Sequence, residues 1–82
     1  MKAKITSIKN GVARHHRGMV NPETWLPEKI DFLTNIYKFD DCQVEADDNK
    51  EVFTLRCHRN SGKPGTNGKA MDLTFILTVV EK

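Results

Sequence analysis

Apolar and polar residues alternate near both ends of the chain, and such alternation predicts β-strands. Residues 1–8 form the first predicted strand, with Ala3 and Ile5 on one face. Residues 71–80 give the clearest strand, because five apolar residues share one face: Met71, Leu73, Phe75, Leu77 and Val79. Residues 9–21 lack this alternation, and we expect a polar connection there.

A helix is predicted after this connection, with two alternative starts. Asn21 is a good N-cap with Pro22 at the first helical position, whereas a later start places Pro27 there. We favour Pro27, because a proline inside a continuous helix removes a hydrogen bond. The apolar residues that follow are spaced to cover a sheet: Ile30, Phe32, Leu33, Ile36, Tyr37 and Phe39.

Two further strands flank residues 47–50, whose Asp and Asn residues suit a tight hairpin. A short even-numbered loop there predicts that Cys42 pairs with Leu55, so that apolar residues share one face. In this register Cys42 and Cys57 are diagonal neighbours. Such positions are typically ~7–8 Å apart, beyond the reach of a disulfide, which predicts two reduced core thiols.

The order of elements predicts one α+β domain spanning residues 1–82. Its fold class is β-α-β-β-β, an antiparallel four-stranded sheet with one helix packed on one face. The helix can cover only one face of the sheet. The other face, or an edge strand, is therefore open to a partner, and a homodimer through either remains an alternative.

The composition agrees with a single globular domain. The chain has 82 residues, of which 38% are apolar and 29% charged. No apolar run approaches the roughly 20 residues that span a bilayer. The first residues lack the apolar stretch of a signal peptide. We therefore expect a cytoplasmic protein that does not enter membranes.

The net charge of +2 conceals a strong segregation along the chain. Residues 23–51 hold nine of the eleven acidic residues and three bases, a net charge of −6. The remainder carries ten bases and two acids, a net charge of +8. Folding can either mix the two sets on one solvated surface or produce a dipolar molecule with a basic side.

Basic residues concentrate in two predicted loops, residues 9–18 and 59–69, and this favours an anionic partner, RNA or DNA. The two loops share one end of the sheet only if the first strand runs antiparallel to the last. The open sheet face offers no aromatic side chains for base stacking, which favours contacts by the loops. The candidate nucleic-acid-binding residues are Lys9, Arg14, His15, His16, Arg17, Arg59, Lys63 and Lys69.

A second hypothesis is a protein-binding inhibitor or assembly factor. It would use the open sheet face, or the acidic 40–51 segment against a basic surface. The acidic candidates are Asp40, Asp41, Asp47, Asp48 and Glu51.

A more remote alternative is a small hydrolase or ribonuclease, in which His15 or His16 works with Asp72 or Asp31. We assign no catalytic residue, cofactor or metal ligand. Adjacent histidines point in different directions, no CxxC or HxxxH spacing occurs, and Cys57 and His58 lie on opposite faces of one strand. The loop between Gly62 and Gly68 also lacks the spacing of a Walker phosphate loop.

Overall fold

The computed structural model describes residues 1–62 and 68–82. These form a five-stranded antiparallel sheet with one helix packed on one face. The elements are β1 Lys2–Lys9, β2 Val12–Val20, α1 Pro22–Asn35, β3 Asp41–Ala46, β4 Val52–Arg59 and β5 Met71–Glu81. The strand order is β2-β1-β5-β4-β3, so β2 and β3 are the two edge strands.

The α+β class is confirmed, but the expected four strands are wrong, because residues 12–20 form strand β2 rather than a polar connection. Asn10 and Gly11 connect it to β1 with φ angles of 48° and 86°. Positive φ at both positions is the requirement of the two-residue turn that suits hairpins. Eight of the nine residues of β2 are exposed. An edge strand that buries neither face needs no apolar alternation, and the pattern therefore missed it.

The helix begins at Pro22, so the start favoured at Pro27 is wrong and the alternative start is observed. The side chain of Asn21 caps it by accepting a hydrogen bond from the Glu23 amide at 3.0 Å. Pro27 leaves the Glu23 carbonyl without its helical donor. Glu23 is exposed, so water can satisfy that carbonyl. No helix of the described residues has the length and apolar character needed to cross a membrane.

The core lies between α1 and the three central strands. Leu26 and Leu33 of α1, followed by Phe39, pack on the inner face of the sheet. Trp25 meets the Phe75 ring edge to face, with centroids 5.2 Å apart. The buried residues of the sheet are Ala3, Ile5, Leu55, Cys57, Phe75 and Leu77, together with the side chain of Arg59.

Arg59 is an inward-pointing cation at the end of β4, only 4% exposed. Its guanidinium donates from Nη1 to the Tyr37 main-chain carbonyl at 3.1 Å and lies 5.4 Å from the centroid of the Phe39 ring. Its Nε finds no hydrogen-bond partner among the described residues. Arg59 therefore fastens the segment after α1 onto the sheet.

The hairpin of β3 and β4 keeps the predicted faces but not the predicted register. Cys42 pairs with Cys57 and Val44 with Leu55, a shift of two residues. The longer loop depends on Asp47, whose carboxylate accepts hydrogen bonds from the Glu51 and Val52 amides at 2.7 and 3.0 Å. Because side chains alternate with a period of two, this shift leaves every residue on its expected face.

The observed register brings the two thiols directly opposite one another. Directly opposed residues have Cα atoms about 4.5–5.5 Å apart, within the range that a disulfide spans. Both cysteines are reduced, Cys42 half-buried and Cys57 buried. Burial is the main cause that raises the pKa of the Cys57 thiol to about 12, and a hydrogen bond with Cys42 adds to it.

We expect oxidised glutathione to cross-link these thiols in the folded protein, since Cys42 is accessible and Cys57 can then displace the glutathione from it. Ring closure should be slow at neutral pH and faster in alkali, because the high pKa of Cys57 keeps it protonated. Intact mass, lower by two hydrogens, and thiol titration after denaturation measure the reaction.

Cys42→Ser is the matched control, and its buried Cys57 should resist glutathione. If the wild type accumulated only mixed disulfides at every pH, the direct Cys42–Cys57 pairing would be wrong.

Candidate nucleic-acid interface

The inner face of β2 is not covered by α1. Register places Val12 beside Lys9 and Arg14 beside Ser7, so these side chains share the face of the sheet on which the helix packs. The helix lies over the central strands, and Val12 remains 72% exposed. A groove therefore runs between α1 and the β1–β2 hairpin.

This basic groove encloses a cavity of about 790 Å³. Leu73 and Phe75 of β5 form its floor, and Tyr37 lines it on the side of the helix. Lys9 and Arg14 line it from the hairpin, and its remaining ionisable side chains are His16 and Lys29. An adjoining cavity of about 230 Å³ shares Lys9, Lys29, Tyr37 and Leu73 and is otherwise apolar.

Among the residues that the structure describes, no acidic side chain lines the basic groove. Within the described part of the chain, Lys9, Arg14 and Lys29 form no ion pair. Lys29 instead contacts aromatic rings, with its ammonium 5.3 Å from the Phe75 centroid and 5.6 Å from that of Phe32. The groove therefore carries an uncompensated positive charge above an apolar floor.

The two adjacent histidines point to opposite faces of β2, and a bulge in the strand begins directly after His15. Residues 16–18 stand opposite the single residue Ile5, and Gly18 has a φ of +80°. His16 points into the basic groove, where its Nε2 lies 2.8 Å from Ser7 Oγ. His15 pairs with Thr6 on the opposite face, with 3.0 Å between Nδ1 and Oγ1.

The sequence-predicted binding residues thus divide into separate groups. Lys9, Arg14 and His16 meet in the basic groove, His15 lies on the opposite face, and Arg17 lies in the bulge. Arg59 is buried against Phe39, and Lys69 is exposed beyond β4. Lys63 lies outside the described residues.

The hairpin tip and the 59–69 loop do share one end of the sheet, because β1 runs antiparallel to β5. Asn10 joins the hairpin tip to the start of β5: its amide donates to the Asp72 carbonyl, and its Oδ1 accepts from the Asp72 amide, both at 3.0 Å.

Sequence reasoning missed Lys29 and Tyr37. The spacing of apolar residues predicts Tyr37 on the helix face that packs on the sheet, but Tyr37 is 48% exposed and lines the groove. Lys29 carries a detectable signal, since it lies four residues from both Trp25 and Leu33. A cation at this spacing shares the apolar side of a helix, which places it at the margin of the core.

Acidic residues gather at the opposite edge of the sheet. Asp41 and Glu45 lie on β3, and Asp48 lies in the following turn. Glu45 lies 3.7 Å from Arg56. The carboxylate of Asp47 accepts hydrogen bonds from the Val52 and Glu51 amides, and these hydrogen bonds lower the pKa of the carboxyl group. The strand order therefore separates a basic edge from an acidic one.

A smaller polar cluster occupies the sheet face turned away from α1. The Nδ1 atom of His58 lies 2.6 Å from Asp72 Oδ1, and its Nε2 lies 3.0 Å from Asn60 Oδ1. The hydrogen bond to Asp72 is the main cause that raises the pKa of His58. Two oxygen acceptors around one ring favour the doubly protonated imidazolium.

The arrangement offers little to the catalytic hypothesis. Asp72 is bonded to His58, and Asp31 accepts a hydrogen bond from Asn35, so neither carboxylate orients His15 or His16. Ser7 and His16 form a hydroxyl–imidazole pair, but within the described residues His16 bonds to no carboxylate. Residues 1–62 and 68–82 bring no three His, Cys, Asp or Glu side chains together as metal ligands.

No known protein family matches this chain, and neither a curated protein nor a solved structure is significantly similar to it. The groove and the two charged edges are therefore the features of the molecule that bear on its function.

We expect Asp72→Asn to lower the pKa of His58, because the amide cannot stabilise the imidazolium as a carboxylate does. Proton NMR of the imidazole during a pH titration measures the shift. The raised pKa means that His58 stabilises the folded state below its unfolded pKa, and that this contribution disappears as the pH rises through the folded value. Asp41→Asn is the matched control, because Asp41 of β3 lies directly opposite His58 of β4. Equal shifts in both variants would contradict the dominant role of Asp72.

Proposed function

We propose that this chain is a small non-enzymatic binding protein that engages RNA or DNA through the basic groove. The observation that carries the proposal is the convergence of Lys9, Arg14 and Lys29 on one groove, which no acidic side chain in residues 1–62 and 68–82 lines. Nucleic-acid affinity depends mainly on cations that replace the counterions of phosphates. Arginine adds two-pronged hydrogen bonding to a phosphate, which a lysine ammonium lacks.

Segregation of charge supports this orientation. An anionic strand is repelled by the acidic edge at β3 and attracted to the basic edge at β2, so the field of the molecule steers it towards the groove. Exposed Lys69 lies at the same end of the sheet as the hairpin tip and extends the cationic surface. Recognition would depend on the hairpin and on α1, with the 59–69 loop in a secondary role.

A protein-binding function remains the alternative, and the acidic edge favours it. Strand β3 has one unpaired backbone edge and exposes Asp41 and Glu45, a combination suited to strand addition by a basic segment. Asp47 is less suited to this role, because its carboxylate is occupied by the hairpin amides. A homodimer through the face opposite α1 or through an edge strand is a further form of this alternative.

Arg14→Glu should weaken nucleic-acid binding by roughly tenfold or more and flatten its salt dependence, because one phosphate contact becomes a repulsion. Fluorescence anisotropy with labelled RNA and DNA, in single- and double-stranded form, measures both. For three phosphate contacts, a single strand should lose roughly 20-fold in affinity between about 50 and 200 mM salt.

Lys50→Asp is the matched control, since it changes the net charge equally but lies in the β3–β4 hairpin. Lys50 has a φ of 55°, a conformation that Asp tolerates. Equal weakening in the two variants would mean that net charge alone governs binding. A complete lack of binding at low salt would refute the proposal, and the acidic edge would then be the surface to test with protein partners.

A further inference from the structure

We infer that the basic groove takes a single-stranded nucleic acid and seats one base on its apolar floor. This inference rests on the proposed function and adds the class of nucleic acid to it. A purely electrostatic surface needs only exposed cations. Here Lys9 and Arg14 lie beside a recess whose floor is formed by Leu73 and Phe75. Phosphates bound to the two cations would leave this recess empty.

The recess is large enough to admit a planar base, and its apolar surface is continuous. The main cavity of about 790 Å³ falls within the usual range of small-molecule sites, about 300–1,000 Å³. The adjoining cavity continues the apolar surface towards Leu33, Phe39 and Met71. A strand that follows the cationic side chains with its phosphates can therefore turn a base inward, whereas the bases of a duplex are already paired and stacked.

Tyr37 is the exposed aromatic side chain placed to contact that base, whereas Phe75 in the floor is only 6% exposed. Its residue is 48% exposed, and its ring packs edge to face on Phe32, with centroids 5.1 Å apart and planes at 75°. Its main-chain carbonyl is held by buried Arg59 at 3.1 Å. A side chain supported at both ring and backbone loses little freedom when a base stacks on it.

Arg59 acquires a defined role in this arrangement. It lies outside the groove lining and is buried, so it acts as a positioning residue for the Tyr37 segment. The cation that the sequence assigns to direct phosphate contact thus supports the aromatic contact instead.

The test compares three labelled probes of equal length, about ten nucleotides. They are a single strand, the same strand with an abasic backbone, and the corresponding duplex. The abasic strand keeps the phosphates and removes the bases. We expect the intact strand to bind at least about fivefold more tightly than the abasic strand, the least that stacking of one base provides. The duplex should bind more weakly than the intact strand.

The variants separate stacking from charge. Tyr37→Ala should reduce the affinity for the intact strand to that for the abasic strand, without changing the salt slope. Tyr37→Phe, the conservative control, should retain the preference because it keeps the ring. Arg14→Glu should weaken all three probes and lower the salt slope, and thermal melting establishes that each variant remains folded.

The outcomes test base seating and the proposed nucleic-acid binding separately. Equal affinity for intact and abasic strands, or a preference for the duplex, would overturn base seating and leave a charge-driven nucleic-acid binder. A base preference that survives Tyr37→Ala in the folded variant would overturn the role of Tyr37 and move the base contact elsewhere. Failure of all three probes to bind at low salt would refute the proposed function itself.

Discussion

A single helix is too narrow to cover a five-stranded sheet, and the candidate site depends on this mismatch. Neighbouring strands lie about 4.8 Å apart, so the outer strands of five are roughly 19 Å apart. A helix with its side chains is about 10–12 Å across. Helix α1 leaves part of the inner face of each edge strand uncovered, as the exposure of Val12 and Val44 records, whereas Val20 and Cys42 pack against the core. The groove is the uncovered margin on the basic side.

The position of β5 connects this margin to the rest of the fold. The C-terminal strand pairs with β1 on one side and with β4 on the other, between the two hairpins. Of its inner residues, Leu77 belongs to the core and Leu73 lies in the floor of the groove. Phe75 belongs to both. The same insertion puts the basic hairpin and the acidic hairpin at opposite edges. Core, groove and charge separation therefore all depend on the central position of β5.

Much of this architecture follows from the sequence wherever a strand buries one face. Alternation identified β1 and β5 for this reason, and it kept Cys42 and Val44 of β3 on their correct face despite the shift in register. It failed for β2, because an exposed edge imposes no pattern, although Asn10-Gly11 carried the hairpin signal. The start of the helix could not be chosen from the sequence alone. Pro27 is tolerated in the second turn because Glu23 is exposed and water can satisfy its carbonyl, and this exposure is a property of the folded structure. Arg14 was identifiable as a cation, but only tertiary packing brings Lys29 and Tyr37 to meet it.

The convergence of three cations distinguishes the groove from an ordinary solvated surface. Three cations outside the groove form ion pairs: Lys2 with Glu81, Arg56 with Glu45, and Lys82 with Glu51. Lys9, Arg14 and Lys29 instead meet in one groove that no carboxylate of the described residues lines, and like charges gathered there repel one another. Under the proposed function, a bound polyanion would offset this repulsion, so the convergence of these cations favours an anionic ligand at the groove.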